Sequence, residues 1–334
     1  MNYPEFKKIA ISAVEDGMNS VISTCDLTAQ DLKQIFQYHL GLDANNRYRG
    51  KRIRPLFVLA SCHASGGEWK NALPAAFAVE FLHNFSLLHD DIEDKSQMRH
   101  GRSSIWKKWG IAQAINAGDG MFSLVYKSIQ AGYNLLTPET ALLIYDSITE
   151  CCINLIDGQH LDLSIQGNQS IQVDQYWKMV GGKTAALIGC CFKLGGIIAG
   201  VTEEQLSQLQ SLGYQIGLNF QVQDDLLGIW GNEEITGKSI DNDLMNRKLT
   251  LPVILGLKKS KRFKEWWMKD LREINDIDLI RGWLVEDGVY QNTKDTIHGI
   301  ETQVDQQLVS MIFIKENRRI FLDSLISELR ERKK

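Results

Sequence analysis

The stretch Glu80–Asp94, with the sequence EFLHNFSLLHDDIED, places four carboxylates within five residues at the end of an apolar run. At about 3.6 residues per helical turn, Asp90 and Asp94 stack one turn apart, with Asp91 on the flank. Like charges at this spacing repel by roughly a few tenths of a kcal/mol, and the negative end of the helix dipole adds to that repulsion. Something positive must offset these acids: Lys or Arg neighbours, open water or a divalent metal.

A second acidic pair changes the interpretation of the first. Gln221, Asp224 and Asp225 share one helix face, at i, i+3 and i+4, after the apolar stretch 216–220. A single acidic pair is more often a solvated helix end, but facing helices of a bundle build metal sites from paired carboxylates. Hard cations such as Mg²⁺ bind carboxylate oxygens and share them with phosphates. The two pairs together therefore favour a metal site.

Basic residues beside glycines and helix starts complete the pattern. Each basic cluster alone is more often a solvated surface, but Arg and Lys at such positions are what a diphosphate needs. The clusters are Lys51 and Arg52 with Arg54, Arg99-His100-Gly101-Arg102, Gly182-Lys183-Thr184, Gly237-Lys238-Ser239, and Arg247-Lys248. Together with the two acidic pairs, they favour a site for diphosphates bridged by Mg²⁺.

The spacing of apolar residues predicts the fold class. Apolar positions recur every three or four residues between only five prolines, and the sustained alternation typical of strands is missing. We therefore predict an all-α protein and, because no linker or repeat is evident, a single domain over residues 1–334. The predicted helices are 4–23, 28–40, 53–65, 70–94, 110–133, 138–165, 173–179, 183–199, 203–229, 249–257, 262–272, 276–288 and 291–329, and for the last of these a break along its length stays open.

Composition narrows the function classes. The net charge is −4 with both signs interspersed, so no basic surface for nucleic acid or anionic membrane is predicted. The six cysteines include no CxxC spacing, which argues against zinc and favours a reduced, cytoplasmic protein. The N-terminus lacks the order of charged and apolar residues typical of a signal peptide. The most apolar segment, 185–201, is short and is expected to be a buried helix rather than a membrane span.

A family resemblance covers the chain from about Gly50 to Pro252. The landmarks, in chain order, are GKRIRP, ExxHxxSLLHDDIED, RHGR, NAGDGMF, GQHLDL, GKTAAL, GLNFQVQDDLLG, GKSIDNDL and KLTLP. In this order they resemble those of the trans-isoprenyl diphosphate synthases, the farnesyl and geranylgeranyl diphosphate synthase family. The resemblance implies an isoprenoid synthase fold, which is one large bundle of ten or more helices around a deep apolar cavity. It also implies a homodimer.

The resemblance assigns roles to individual residues. The metal ligands, usually for three Mg²⁺ ions, are Asp90, Asp91 and Asp94 of the first acidic motif and Asp224 and Asp225 of the second. The allylic diphosphate is clamped by Arg99, Lys183 and Lys238, with His100 beside Arg99 as a further donor. Isopentenyl diphosphate is held by Lys51, Arg54 and His83. Thr184 and Gln221 lie near the reacting carbons, and Lys248 lies near the metal site. The residues expected to act most directly in catalysis are Asp90, Asp91, Lys183, Thr184, Gln221 and Asp224.

The implied reaction is the condensation of isopentenyl diphosphate with dimethylallyl, geranyl or farnesyl diphosphate. Metal and basic groups would stabilise the departing pyrophosphate, and an allylic carbocation would form in a dry apolar pocket. Three alternatives to a geranylgeranyl diphosphate synthase stay open at this point. They are a farnesyl diphosphate synthase, a terpene synthase acting as a lyase, and a helical subunit without catalytic activity.

Product length is predicted from the residues just before the first acidic motif. By resemblance, bulk at Phe85 with the small Ser86 beside it favours a twenty-carbon product over a fifteen-carbon one. On an ideal helical wheel Ser86 lies closer to the Asp90 face, so Phe85 as the floor rests on the resemblance alone. From spacing alone, packing of Phe85 against a neighbouring helix is at least as good an interpretation.

The sequence departs from the family pattern at several positions. The second motif usually ends in a third acid, but here Gly228 occupies that position. Water or Glu233 could serve as the metal ligand instead of the missing carboxylate. His100 occupies the position of a second arginine and is not permanently charged. Asp241 and Arg247 stand where glycines are common. We interpret these departures as tuning of the enzyme, because Lys51, Arg54 and His83 are intact.

Overall fold

A computed structural model describes residues 2–43, 50–132, 134–166, 171–231, 242–245, 247–268 and 277–331. The predictions made for Glu233, Lys238 and Asp241 lie outside these residues. The described residues are almost wholly helical, which confirms the all-α prediction.

The helices follow one another along the whole described chain. In order they are α1 (Tyr3–Ser23), α2 (Gln30–Leu40), α3 (Ile53–Ala64), α4 (Leu73–Glu93), α5 (Ile105–Trp109), α6 (Ile111–Ala131), α7 (Pro138–Ile165), α8 (Val173–Val180), α9 (Ala186–Ala199), α10 (Glu203–Trp230), α11 (Asn242–Met245), α12 (Leu251–Lys259), α13 (Lys261–Trp267), α14 (Ile277–Glu286), α15 (Val289–Ser310) and α16 (Glu316–Arg330). A short hairpin of two strands, β1 (Met98–Arg99) and β2 (Arg102–Ser103), follows α4.

Most helix predictions agree with the structure to within a few residues, and the differences have local causes. The helix predicted over 291–329 is broken into α15 and α16. The helix predicted over 183–199 begins instead in a π-helical turn, Gly181–Ala185, that joins α8 to α9. The sequence analysis missed α5, α11 and the hairpin, which are all too short to show a helical or strand period.

The described residues group into two compact units. The first unit consists of Met1–Glu150, Cys190–Gln210 and Phe313–Leu325, and the second of Cys151–Gly189, Ser211–Ile312 and Ile326–Lys334. The unit boundaries fall inside α7, α9, α10 and α16. A single domain over residues 1–334 stays a prediction, as does the deep apolar cavity.

The core of the first unit is organised around α4. This helix packs against α3 and α6, and its first half is almost entirely buried because it is made of small and apolar residues. Phe57 and Phe81 are fully buried, and Phe57 packs against Phe192 with ring centroids 5.1 Å apart. Burying one such side chain contributes about 1.5–3 kcal/mol. This packing fixes α4 as the rigid support for the acidic residues at its end.

The core of the second unit contains an aromatic cluster on α13. Phe263, Trp266 and Trp267 are each 4% exposed or less, with ring centroids 5.6–6.1 Å apart. This burial shows that the three rings pack in the core of the second unit.

One continuous helical stretch, Val173–Ala199, is long and apolar enough to cross a membrane, but 67% of its most apolar window is buried inside the protein. A core helix meets the same criterion of length and apolarity. The burial agrees with the expectation that 185–201 forms a buried helix. None of the six cysteines forms a disulfide.

Candidate functional site

The first acidic motif lies where α4 ends. Asp94 caps the helix, and Lys95 turns the backbone left-handed at a φ of 52°. The N–H of Ser96 then donates to the carbonyl of Asp91 at 2.9 Å, and that of Lys95 to the carbonyl of Ile92 at 3.2 Å. This pair of bonds is a Schellman motif, which here forms without its usual glycine. The carboxylates are thus held at a sharply terminated helix end.

The hairpin returns a cation to these carboxylates. Its two-residue turn, His100-Gly101, has positive φ at both positions, 50° and 82°, as type I′ turns require. Arg99 and Arg102 are paired across the ladder. The Nε of Arg99 donates to Asp91 at 3.0 Å, and its Nη2 donates to Asp90 at 3.4 Å. One guanidinium therefore binds both acids of the first motif.

Burial sets the chemistry of Asp91. Its side chain is 1% exposed, whereas those of Asp90 and Arg99 are 19% and 27% exposed. Burial raises the pKa of Asp91 above its ordinary 3.8, the nearby charges of Asp90 and Asp94 act in the same direction, and the hydrogen bond and charge of Arg99 oppose them. Asp91 is enclosed against Arg99, whereas Asp90 and the exposed Asp94 reach solvent.

The two basic residues that directly precede α3, Arg52 and Lys51, differ in their burial. Arg52 adopts a left-handed φ of 52° and points inward, where its Nη1 donates to Glu80 at 2.8 Å. Its side chain is 2% exposed, so Arg52 and Glu80 form a buried ion pair that is part of the core. Lys51, in contrast, is exposed, two residues before α3 begins.

Arg54 and His83, both predicted for isopentenyl diphosphate, are brought together. Nη1 of Arg54 lies 3.0 Å from Nε2 of His83. Burial and the charge of Arg54 hold the pKa of His83 well below its ordinary 6.5. Because a guanidinium can only donate, Nε2 accepts and the neutral ring carries its proton on Nδ1. His83 is therefore a neutral ring with an N–H at Nδ1.

His39 on α2 was missed by the sequence analysis. It is 8% exposed, and its Nε2 has no hydrogen-bond partner. Burial, followed by the charges of Arg99, His100 and Arg102, lowers its pKa from 6.5 to about 3. The predicted donor His100 lies at the exposed tip of the hairpin. Partial burial of its ring, together with the charge of Arg99, lowers its pKa as well. The first unit thus surrounds its acids with positive charge.

The predicted chain-length residues face different partners. The ring of Phe85 packs against Phe122 of α6 at 5.1 Å and against His89 at 4.9 Å. The hydroxyl of Ser86 donates back to the carbonyl of His83 at 2.8 Å. Packing of Phe85 on a neighbouring helix is therefore observed, and its role as the floor of the pocket stays a prediction. His89 lies beside Asp119 at 3.8 Å, within the α4–α6 contact.

In the second unit, the π-helical turn presents Lys183 and Thr184. A Cβ atom on Gly158 would lie 2.1 Å from the backbone nitrogen of Lys183, and one on Gly182 would lie 2.6 Å from a carbonyl oxygen of α7. The two glycines therefore permit backbone-to-backbone contact between α7 and the turn. Nζ of Lys183 donates to Asp162 of α7, a residue within the GQHLDL landmark to which the sequence analysis gave no role.

Asp225 lies at the centre of a buried hydrogen-bond network. It is 4% exposed and accepts bonds from the Tyr176 hydroxyl at 2.7 Å, the Leu251 N–H at 2.9 Å and Nε2 of Gln221 at 2.9 Å. The Thr184 hydroxyl donates to Oε1 of Gln221 at 2.9 Å. Burial raises the pKa of Asp225 to about 7, although its three donors oppose that shift. The predicted residues Thr184, Gln221 and Asp225 thus form one connected chain.

Asp243 fills the space left by the missing third acid. A Cβ atom at Gly228 would lie 2.0 Å from Oδ2 of Asp243. Oδ1 of Asp243 lies 3.9 Å from Nζ of Lys248, whose side chain is 57% exposed. Asp224, one residue before Asp225, is half-buried. The acid that compensates for Gly228 among the described residues is therefore Asp243, while the predicted Glu233 lies outside them.

The donor set fits Mg²⁺. The acids at both clusters offer only carboxylate oxygens, which hard cations prefer. In the described ranges, no three Asp, Glu, His or Cys side chains converge into a metal centre by themselves. Since Mg²⁺ is commonly bound by one or two carboxylates plus substrate phosphates, this arrangement suits a metal that arrives with a diphosphate.

Sequence reasoning missed His39, Asp162, Tyr176 and Asp243. A usable signal existed for Asp162, within GQHLDL, and for Asp243, within GKSIDNDL. His39 and Tyr176 lie in ordinary helical patterns, where their burial next to charged groups depends on tertiary packing.

Comparisons with known proteins agree with this geometry. The polyprenyl synthetase family model matches residues 32–281. A geranylgeranyl diphosphate synthase from Mycobacterium tuberculosis is 39% identical over 226 residues, covering 66% of this chain and 63% of that protein. A (2E,6E)-farnesyl diphosphate synthase from Mycobacterium bovis is 39% identical over 227 residues, covering 66% and 62%.

The fold comparison covers more of the chain. The crystal structure of a polyprenyl synthetase from Streptomyces coelicolor superimposes with a TM-score of 0.88 at 28% identity, over 98% of this chain and 99% of that one. The sequence alignments, however, span less than two thirds of the length of the two mycobacterial relatives. From the match to three quarters of its length, together with this fold, we conclude that the chain belongs to the polyprenyl synthetase family.

Proposed function

We propose that the protein is a Mg²⁺-dependent prenyltransferase that condenses isopentenyl diphosphate with an allylic diphosphate to give a short all-trans prenyl diphosphate. The observation that carries this proposal is the 3.0 Å contact between Arg54 and His83 in a member of this family. The two residues were predicted separately for isopentenyl diphosphate and lie 29 positions apart in sequence. A lyase acting on a single allylic substrate would not need them together.

In this proposal the carboxylates hold the metal on the allylic diphosphate. The ligands of this proposal are Asp90, Asp91 and Asp94 of the first motif with Asp224 of the second, for about three Mg²⁺ ions. Bound Mg²⁺ would supply Lewis-acid and electrostatic stabilisation to the departing pyrophosphate. Arg99 and Lys183, each paired with a carboxylate in the structure, would share their donors with the phosphate oxygens.

The other residues act on the second substrate and the reacting carbons. Lys51, Arg54 and the Nδ1–H of His83 bind isopentenyl diphosphate. The Gln221 amide and the Thr184 oxygen place partial charge near the developing allylic cation, and an apolar cavity excludes water. The double bond of isopentenyl diphosphate attacks the cation, and pyrophosphate takes up the proton that is then lost.

The test is a product assay. With isopentenyl diphosphate, Mg²⁺ and dimethylallyl, geranyl or farnesyl diphosphate, we expect elongated products by mass spectrometry. Asp90→Ala and Asp224→Ala should each reduce turnover by about 10³-fold or more with little change in thermal stability. Absence of elongation with every primer would sink the proposal, and a cyclic hydrocarbon from one allylic substrate would favour the lyase. Inactivity unless a second protein is added would favour a non-catalytic subunit.

The product we propose is geranylgeranyl diphosphate, with farnesyl diphosphate as the alternative. The packing of Phe85 against Phe122 supports a rigid aromatic barrier on α4. Phe85→Ala should lengthen the products, whereas Ser86→Ala, which removes only a hydroxyl, should not. Unchanged product length in Phe85→Ala would reject this residue as the floor.

We also propose a cytoplasmic homodimer. Large apolar side chains stand exposed on α6 and α7: Ile111, Ile115, Leu142 and Leu143 are each 43–63% exposed. Apolar exposure of this kind favours association with a second copy. Six cysteines without a disulfide suit a reducing compartment. Analytical ultracentrifugation of the wild type and of Ile115→Glu tests the dimer, and a wild-type monomer would refute it.

A further inference from the structure

Both carboxylate oxygens of Asp225 already accept hydrogen bonds. Oδ2 accepts from both the Tyr176 hydroxyl and the Leu251 N–H, and Oδ1 accepts from Gln221. Tyr176 is 1% exposed and Asp225 is 4% exposed. All three bonds are 2.7–2.9 Å long, which is the normal range for hydrogen bonds of this kind. These bonds take three of its roughly four lone-pair sites. Binding Mg²⁺ through the site left on Oδ1 would require bringing the ion to a carboxylate that is almost wholly buried.

The network fixes the orientation of the Gln221 amide. The amide turns its NH₂ group toward Asp225, because Nε2 is its only donor and lies 2.9 Å from Oδ1 of that carboxyl. Its oxygen then points to Thr184, whose single hydroxyl proton is donated to it at 2.9 Å. The lone pairs of the Thr184 oxygen are left to face a ligand. The order of donors and acceptors therefore runs in one direction, from Asp225 through Gln221 to Thr184.

The same carboxylate also anchors the start of α12. Leu251 is the first residue of that helix, and its N–H has no partner inside the helix. Asp225 accepts this N–H. Leu251 itself lies three residues after the predicted site residue Lys248. One buried carboxylate thus connects α8, α10 and α12, the three helices that adjoin the predicted ligand-binding residues of the second unit.

We propose that Asp225 is a positioning residue rather than a metal ligand, and that Tyr176 acts with it to orient Gln221 and Thr184 toward the substrate. This inference rests on the proposed function. Asp224 carries the metal from the second motif, because its half-buried side chain leaves α10 about 100° around the helix from Asp225. Mg²⁺ requires near-ideal octahedral geometry, and a carboxylate held by three donors cannot adjust to it.

The first experiment measures metal binding without turnover. Mn²⁺ binding in the presence of inorganic pyrophosphate is followed by electron paramagnetic resonance in the wild type, Asp225→Asn and Asp224→Ala. We expect Asp225→Asn to keep the affinity within about threefold and Asp224→Ala to lose tenfold or more. An equal loss in both variants would overturn the proposal. Because no elongation is needed, this result is independent of whether the proposed function holds.

The second experiment tests the positioning role. Tyr176→Phe removes one hydroxyl and keeps the ring, and Tyr290→Phe, in the same unit with its ring against Trp230, is the matched control. We expect Tyr176→Phe to lower kcat by 10- to 100-fold with KM for isopentenyl diphosphate and Mn²⁺ affinity unchanged, and Tyr290→Phe to match the wild type. Wild-type kcat in Tyr176→Phe would overturn the role of Tyr176. A wild type without elongation on any primer would instead refute the proposed function.

Discussion

The two acidic clusters bury a carboxylate to a similar degree but neutralise it with different chemistry. Asp91 is 1% exposed and is bonded by the guanidinium of Arg99, which carries a full charge. Asp225 is 4% exposed and is bonded by a phenol, an amide and a backbone N–H, which are only dipoles. Burial raises the pKa of both acids, and that of Asp225 reaches about 7. The choice of partner therefore decides how firmly each charge is held.

This difference indicates separate tasks for the two clusters. Arg99 is 27% exposed, so it can turn part of its donor fork toward an incoming phosphate while it keeps Asp91. Tyr176 is 1% exposed and has a single proton, already donated. The first cluster is built to exchange partners with a ligand, and the core of the second is built to stay fixed.

The largest effect on stability should come from removing the charged partner. Arg99→Gln leaves Asp91 buried without its counter-ion, which costs about 3 kcal/mol. Tyr176→Phe removes one neutral donor of three and should cost about 1–2 kcal/mol. The free energies of unfolding come from urea titrations of both variants. Equal losses of unfolding free energy in the two variants would contradict the distinction between an ionic first cluster and a dipolar second cluster.

A double-mutant cycle controls for packing at the same pair. If the cost of Arg99→Gln arises from the unpaired carboxylate, then Asp91→Asn in the Arg99→Gln background should recover about 1–2 kcal/mol. Strict additivity of the two changes would mean that Arg99 stabilises the first unit by packing alone.

The burial of His39, together with the positive charges beside it, should appear as sensitivity to acid. His39, with a pKa of about 3 in the folded protein and 6.5 in the unfolded chain, stays neutral until the pH falls below about 3. Between pH 6.5 and 3 the unfolded chain binds the extra proton, so stability falls as the pH falls. From pH 7 to 5 the wild type should lose about 2 kcal/mol more than His39→Gln.

Urea titrations at both pH values measure this difference. His298→Gln is the matched control, because His298 lies on α15 in the second unit. Parallel losses in the wild type and His39→Gln would show that burial and the nearby charges do not lower the pKa of His39. A control that also reduced the acid sensitivity would assign the effect to histidines in general.

The parts of this molecule that the sequence predicted are those governed by local rules. The 3.6-residue period placed α4 and α10, and the order of landmarks named Arg54, His83, Gln221 and Asp225 as site residues. Whether a charged residue turns inward was not predictable. Arg52 and Arg54 are two positions apart, yet one is buried against Glu80 and the other contacts His83. Arg52 has a left-handed φ, and no local sequence pattern predicts that backbone conformation.

Partners that come from distant segments were also beyond the sequence. Tyr176 meets Asp225 across 49 positions, and the contact depends on how α8 packs on α10 and α12. Asp243 was predicted by resemblance only as part of a landmark, and its side chain lies in the space that Gly228 leaves open.

A smaller effect should come from restoring the usual third acid of the second motif. Gly228→Asp places a Cβ where Oδ2 of Asp243 lies 2.0 Å away and adds a like charge. We expect the free energy of unfolding to fall by about 1–2 kcal/mol and the affinity for Mn²⁺ not to rise. Asp243→Ala in the same chain should relieve the clash and recover most of that loss. A stable Gly228→Asp with higher Mn²⁺ affinity would show that Asp243 does not stand in for the missing acid.

The smallest effect concerns the backbone beside the second cluster. The first cluster is bounded by left-handed Lys95 and His100, and the second by Arg247, with a φ of 54°. A side chain other than glycine at such a φ destabilises the folded state by about 1 kcal/mol, and glycine avoids this strain. Part of this advantage is offset, because glycine has more conformational entropy in the unfolded chain. Arg247→Gly and Arg247→Ala remove the same charge, so their difference in unfolding free energy isolates the strain. We expect glycine to be the more stable by about 0.5–1 kcal/mol, whereas equal stabilities would show that the backbone there relaxes freely.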